Sequence, residues 1–179
     1  MPGSIFLEGD SIELRTIEES DLEFLQDGIN DPRIRVPLGR AKPINRAQER
    51  EFFEEEVCGD DAIHLLIAAD GEPVGAIGLD PIERYRQWGE IGYWIAPDFH
   101  GHGYGSDALS TTIEYAFTQL GLHKLAARVY EFNEPSMELL ESVGFRREGV
   151  HRKDAFVDGE YKDTYWYGLL EDEWRENDP

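Results

Sequence analysis

Apolar residues recur along this chain at two spacings, every second position and every three to four, and the switches between them lay out its elements. Ile12 to Arg15 alternates apolar and polar residues and reads as an edge strand. Glu18 to Ile29 follows as a first helix, which Asp31-Pro32 ends, because proline has no amide hydrogen and restricts the residue before it. Asn45 can cap a second helix, Arg46 to Val57, with Phe52 and Phe53 turned inward. Ile63 to Ala69 and Glu72 to Leu79 are apolar runs joined by Asp70-Gly71, a strong hairpin signal. Gly75 and Gly78 in the second run predict a bulge or a close approach of two backbones. The polar stretch Asp80 to Gln87 reads as the next turn, and Trp88 to Ile95 as the third strand of an antiparallel meander. Its segment Ile91 to Ile95 is apolar enough to be buried on both faces, and Ala96-Pro97 stops it.

Beyond that strand Leu109, Ile113, Ala116, Phe117 and Leu120 recur at three and four, the stripe of an amphipathic helix that Gly121 closes. Lys124 to Tyr130 reads as a strand and Asn133 to Val143 as a short helix with Pro135 in its first turn. Gly144-Phe145 ends that helix and begins a strand toward Val150. Asp158-Gly159 is a second hairpin signal, leading into Thr164 to Leu170 as the last strand, and the charged tail from Glu171 is expected to fray. The sum is an α+β fold over one domain, residues 1–179: a mixed, mostly antiparallel sheet of about seven strands with helices on both faces.

Chemistry enters at the turn between the strand ending at Ile95 and the helix after it. Glycines stand at every second position there, Gly101, Gly103 and Gly105. Without a Cβ the backbone can come close to a ligand, and the helix behind offers free N–H groups and a partial positive charge. An anionic group is therefore expected on the turn from His100 to Ser106; the plain alternative is a tight turn that binds nothing. The turn lacks the Gly-Lys-Ser/Thr ending of a P-loop, and its third glycine comes one residue too early for a dinucleotide fingerprint. His100 and His102 could donate to such a group or simply be exposed.

The string Tyr93-Trp-Ile-Ala-Pro-Asp-Phe-His-Gly-His-Gly-Tyr-Gly105 resembles motif A of the GNAT superfamily of acetyl-CoA-dependent N-acetyltransferases, Gln/Arg-x-x-Gly-x-Gly/Ala. His100, Gly103 and Gly105 fall on its three defined positions, His100 departing from Gln/Arg. Asn133 to Gly149 resembles the downstream half of the same family and in particular its RimJ/RimL-type branch, with Asn-x-x-Ser before a helix that ends in Gly-Phe. The likeness runs from about Ile12 to Leu170. It implies acetyl-CoA as cosubstrate and no metal. The cosubstrate would be held by Ile95, by His100, Gly101, His102, Gly103, Tyr104, Gly105 and Ser106, and by Asn133 and Ser136. It also implies that the central strand splays from its neighbour, with a bulge in this strand, to admit the pantetheine arm, and that the first two helices flank the acceptor amine. Many members carry a tyrosine general acid seven residues after the asparagine; that position is Leu140 here.

Amine acetylation needs a base, a polarised thioester carbonyl and stabilisation of the departing thiolate. Glu90 is the candidate base, since it lies in the central strand and shares a face with Gly92 and Trp94; the alternative is a carboxylate on a solvated face. Ser136, on the serine position of the RimJ/RimL-type motif, is the candidate to hold the thiolate or a water, although Ser136 and Asn133 would also serve as helix caps. Trp94, Tyr93 and Phe145 read as core.

Composition narrows the partners. The chain has 38 acidic against 17 basic residues, a net charge of −21, which should repel nucleic acid and anionic membranes. Such a field suits a salt-loving source, where screening is strong; an acidic protein from an ordinary source is the alternative. The basic stretch Pro32 to Pro43, with Arg33, Arg35, Arg40 and Lys42, reads as a substrate-facing lid or a solvated connection. One cysteine, Cys58, allows no internal disulfide, and five scattered histidines make no zinc pattern. No stretch approaches a membrane span and the start does not read as a signal peptide, so a cytoplasmic location is expected. The acceptor is expected to be a protein N-terminal α-amine by direct transfer in a ternary complex. A polyamine, amino acid or aminoglycoside amine stays open, as do a homodimer, a non-catalytic acyl-CoA-binding module and a nucleotide-binding regulator.

Overall fold

The computed structural model describes residues 3–177. Eight strands form one sheet: β1 (Ile5–Glu8), β2 (Glu13–Thr16), β3 (Ile63–Ala69), β4 (Glu72–Glu83), β5 (Trp88–Ile95), β6 (Lys124–Tyr130), β7 (Arg146–Val157) and β8 (Glu160–Leu170). Their order is β1-β2-β3-β4-β5-β6-β8-β7, and β5–β6 is the parallel pair in an otherwise antiparallel sheet. The helices are α1 (Leu22–Asn30), α2 (Pro32–Arg35), α3 (Arg46–Phe52, continued by a π-helical turn over Phe53–Val57), α4 (Tyr104–Thr118), α5 (Glu134–Ser142) and α6 (Glu171–Asn177).

Alternation along the strands sends two sets of side chains to two faces. Leu14, Leu65, Ile67, Leu79, Ile91, Leu125 and Leu169 meet Leu109, Ile113 and Ala116 of α4 and Leu140 of α5 in the main core. On the opposite face Ile17, Leu25 and Leu66 form a smaller cluster with Phe24, Phe53 and Trp94, so α1 and the end of α3 cover that side. The Asp-Gly hairpins form as expected. Asp70 and Gly71 have φ of 50° and 80°, and Asp158 and Gly159 have 50° and 85°, the paired positive values that match strand twist in a two-residue turn. Gly75 answers to close approach, because a Cβ there would lie 2.2 Å from the Trp94 carbonyl oxygen, and the β3–β4 register slips beside it.

Several expectations change. Ile12 to Arg15 is not an edge, because β1 pairs outside it; β1 is short and mostly exposed, and Phe6 packs edge-on against Tyr115 of α4 at 5.2 Å. Asp80 is not the start of a turn, since β4 runs on to Glu83; β7 likewise runs past Val150 to Val157, and β8 starts at Glu160 rather than Thr164. The tail does not fray as far as Asn177: Glu171, Asp172 and Glu173 suit the positive N-terminus of α6, Trp174 packs on Phe117 at 5.5 Å, and Glu173 accepts from Arg146 at 2.7 Å. Ile91 to Ile95 is not buried on both faces, because Gly92 is exposed.

That last difference marks the feature that positions the site. β5 and β6 pair only at Trp88–Lys124, Gly89–Leu125 and Glu90–Ala126. Beyond Glu90, β5 stays on β4 as far as Ile95, and β6 stays on β8 as far as Tyr130. The two strands therefore diverge and leave a gap in the middle of the sheet. The bulge expected in the central strand falls in its neighbour: β4 carries one extra residue between Leu79 and Ile82, opposite Ile91 and Gly89. A bulge sharpens local twist, and this one sits where β5 parts from β6.

Candidate active site

Along an antiparallel strand the N–H groups point alternately to the two neighbours. The Ala96 amide donates to the Val74 carbonyl at 2.8 Å, toward β4, so the amides of Ile95 and Tyr93 point the other way, into the gap that β6 has vacated. These are donors set for a carbonyl-bearing chain. The Ile95 carbonyl also faces the gap and accepts a hydrogen bond from His100 Nε2 at 2.9 Å.

His100 thus ties the glycine turn to the strand end. His102 is also spent on its own loop, its Nδ1 donating to the carbonyls of Phe99 at 3.2 Å and His100 at 3.1 Å while its ring stacks on Tyr104. What the turn leaves exposed is main chain. Gly101 and Gly103 have φ of 81° and 82°, which an L side chain rarely adopts, and nothing lies within 4 Å of where their Cβ atoms would be. Gly103 begins α4, whose first amides, Tyr104, Gly105 and Ser106, have no partner within the helix. Gly105 serves packing instead: a Cβ there would come within 3.1 Å of Leu139 and 3.6 Å of Ile95. These observations fit a diphosphate on the turn.

The N-terminus of α5 lies across the gap. Asn133 caps it, its Oδ1 accepting from the Ser136 amide at 3.3 Å, so the capping role foreseen for Asn133 is present. Ser136 Oγ is 2.9 Å from Tyr93 Oη, which reaches under β5 from the open half of the strand. Burial raises the Tyr93 phenol to about 12, partly offset by the bond to Ser136. Leu140, at the position where a tyrosine acid was absent, is completely buried. Tyr93 is the residue that sequence reasoning left in the core. The signal available was its hydroxyl, since a tyrosine on a buried strand face needs a hydrogen-bond partner that a phenylalanine does not.

On the other face Glu90 is mostly buried and pairs with Arg128 Nε at 2.5 Å, whose guanidinium lies 5.4 Å over the Trp166 ring. Glu90 is therefore an oriented carboxylate rather than a solvated one. Two residues along, a Cβ on Gly92 would meet nothing within 4 Å. Beyond it Trp94 is clamped by Phe24 at 5.4 Å and by Gly28, where a Cβ would fall 2.4 Å from the indole. The result is an open slot floored by Gly92 between Glu90 and Trp94. The basic stretch reaches the same region: Ile34 of α2 is buried, and a Cβ on Gly39 would sit 2.0 Å from Tyr130 Oη at the far end of β6. Gly39 thus puts this part of the stretch beside the diverging end of β6, while Arg33 is held by Asp31 at 2.7 Å, so the stretch is not a free connection.

A separate groove of about 810 Å³ runs along α4, lined by Glu8, Asp10, Asp107, Glu114, Glu141 and Arg146 among others. Its carboxylates disfavour a diphosphate, and of the expected binding residues it takes in Ser106 alone.

The acetyltransferase (GNAT) domain pattern matches residues 11–146. The chain belongs to the GNAT acetyltransferase family. It is 38% identical over 173 residues to the "Putative ribosomal N-acetyltransferase YdaF" of Bacillus subtilis, covering 91% of this chain and 93% of that protein. It is 26% identical over 163 residues to the spermidine N(1)-acetyltransferase of Vibrio cholerae, covering 90% and 94%. The crystal structure of a Vibrio cholerae spermidine N-acetyltransferase in complex with CoA and spermine superimposes with a TM-score of 0.88 at 23% identity, over 92% of this chain and 98% of that one. As a GNAT protein the chain is an N-acetyltransferase with acetyl-CoA as cosubstrate. The gap and the glycine turn are the features of this molecule that fit it.

Proposed function

We propose that the chain transfers the acetyl group of acetyl-CoA to a protein N-terminal α-amine, directly, with both substrates bound. The pantetheine arm lies in the gap between β5 and β6, the diphosphate on the amides from Gly101 to Ser106, and Asn133 at the arm's edge. The β5 amides that face the gap, those of Tyr93 and Ile95, hold the carbonyls of the pantetheine arm and of the thioester, polarising the latter. The amine enters over Gly92, Glu90 takes its proton directly or through a water, and Ser136 donates to the leaving sulfur.

One observation carries the choice of acceptor: Gly39, between Arg35 and Arg40, lies against Tyr130 at the far end of β6, so the basic stretch borders the open half of the sheet. Arg33 is paired with Asp31 at 2.7 Å, but Arg35, Arg40 and Lys42 add positive charge there, which opposes the close approach of a polycation and suits a peptide with a single α-amine and acidic residues behind it. The similarity to a relative with a ribosomal name supports the same choice. A polyamine is the second reading, favoured by the spermidine-acetylating relative and by the net charge of −21.

Free thiol released from acetyl-CoA, measured with peptides bearing free and blocked N-termini and with spermidine, decides between them. The proposal expects turnover with free N-termini and none with blocked peptides that keep their lysines. Faster turnover with spermidine than with every peptide overturns it in favour of the second reading.

A further inference from the structure

Ser136 is placed to meet the departing sulfur, but a serine hydroxyl rotates freely, and a donor that spends its time elsewhere stabilises little. In the first turn of a helix the usual alternative is a backbone carbonyl three or four residues back. Among the described residues Ser136 Oγ has one hydrogen-bond partner, and it is no carbonyl: it is Tyr93 Oη, at 2.9 Å.

The surroundings of Tyr93 make that contact directional. Its neighbours on the same face of β5, Ile91 and Ile95, are apolar, as are Met137 and Leu139 nearby in the core. A buried phenol in such a place must satisfy its hydroxyl, and Ser136 is what it has. Burial keeps the phenol protonated at every physiological pH, so its hydrogen is always present to be donated. Once the Ser136 oxygen accepts that hydrogen, its own hydrogen must point away from Tyr93. The open direction is the gap, because β5 beyond Glu90 has no strand on that side.

We infer that Tyr93 is a positioning residue for acetyl transfer: its phenol donates to Ser136 Oγ and thereby turns the Ser136 hydroxyl hydrogen toward the leaving sulfur. The inference rests on the reading of Ser136 given above. In the step itself the amine nitrogen forms the C–N bond and gives its proton to Glu90. The C–S bond breaks with its electron pair going to sulfur. The sulfur leaves as a thiolate held by the Ser136 hydrogen and takes a proton from water on release. Tyr93 keeps its proton throughout, so it acts by aligning a donor and not as a general acid.

The test is a double-mutant cycle on the full chain, Tyr93→Phe, Ser136→Ala and both together, read as the single-turnover rate of acetyl transfer with CoA affinity measured calorimetrically alongside. Ser136→Ala should slow transfer about a hundredfold and Tyr93→Phe about tenfold. The double variant should be no slower than Ser136→Ala alone, because Tyr93 has nothing left to align. CoA affinity should stay within about twofold in Tyr93→Phe, since loss of one buried hydroxyl beside the gap removes no contact to the coenzyme. A Tyr93→Phe rate equal to wild type, or two factors that multiply in the double variant, overturns the inference. A purely structural tie between β5 and α5 would instead weaken CoA binding or lower the melting point without lowering the rate, and that result overturns it too. If Ser136→Ala leaves transfer untouched, the serine reading itself falls; multiplying factors would remove Tyr93 alone.

Discussion

Asp107, in the first turn of α4, holds the β1–β2 turn onto the helix that follows the glycine turn. Its carboxylate accepts from the Ser11 amide at 2.6 Å, the Ser11 hydroxyl at 2.8 Å, the Asp10 amide at 3.0 Å and the Ile12 amide at 3.2 Å. Gly9 is needed for the approach, since a Cβ there would lie 2.4 Å from an Asp107 oxygen. Hydrogen bonds to a charged group contribute about 1.5–3 kcal/mol each when isolated. These four share two oxygens and most are solvent-accessible, so Asp107→Ala should cost about 2–4 kcal/mol and Asp107→Asn about 1–2 kcal/mol. For a chain of this size that corresponds to a melting point lower by roughly 4–16 °C for the alanine variant.

The pH dependence has a definite sign. Desolvation raises the carboxyl, but the hydrogen bonds from Ser11, Asp10 and Ile12 outweigh it, and the folded-state value lies below the ordinary 3.8. A depressed carboxyl stabilises the fold above its unfolded value and loses that contribution as pH falls through the folded one. Urea unfolding of wild type and Asp107→Asn should therefore show a constant difference from pH 7 to about 5 that narrows toward pH 3. A difference below about 0.5 kcal/mol at pH 7, or one that widens in acid, refutes the reasoning.

Three further outcomes are expected. Glu90→Gln should slow acetyl transfer by about 10²–10⁴ with CoA affinity unchanged, measured in a single turnover; an effect under about fivefold would remove Glu90 as the base. Burial lowers the His64 imidazole, against the opposing pull of Asp80 and Glu56. The unfolded chain then binds a proton near pH 6.5 that the folded one refuses, so stability should fall as pH drops below about 6.5, and His64→Gln should flatten that slope in urea titrations. Raising KCl from about 0.1 M to 1 M shortens the screening length from about 10 to 3 Å, so with a net charge of −21 the melting point should rise; a flat or falling curve would remove the proposal of a salt-loving source.

Much of this fold was legible because its punctuation is chemical. Asp70-Gly71 and Asp158-Gly159 can adopt paired positive φ, Pro97 follows the end of β5, Gly121 turns the chain two residues beyond the Gln119 cap of α4, and the stripe from Leu109 to Phe117 has one period. β1 was not legible because Ile5 and Phe6 stand side by side with no alternation, and the pairing that makes them a strand lies in β2. α6 was missed because its acidic first turn looks like a solvated tail until Trp174 finds Phe117. In the site, the glycine turn and Glu90 could be read from local sequence. The partners of Glu90 and Ser136 could not: Arg128 sits beside Glu90 only through the register of a parallel pair, and Tyr93 reaches Ser136 only because β5 and β6 part.

The most direct test of the account is a crystal structure of the chain with CoA bound. It should place the diphosphate on the amides between Gly101 and Ser106, with the pantetheine chain threading between Ile91–Ile95 and Ala127–Tyr130 and its carbonyls meeting the amides of Tyr93 and Ile95. CoA lying in the acidic groove along α4, with those amides free of it and β5 and β6 closed on each other, would contradict it.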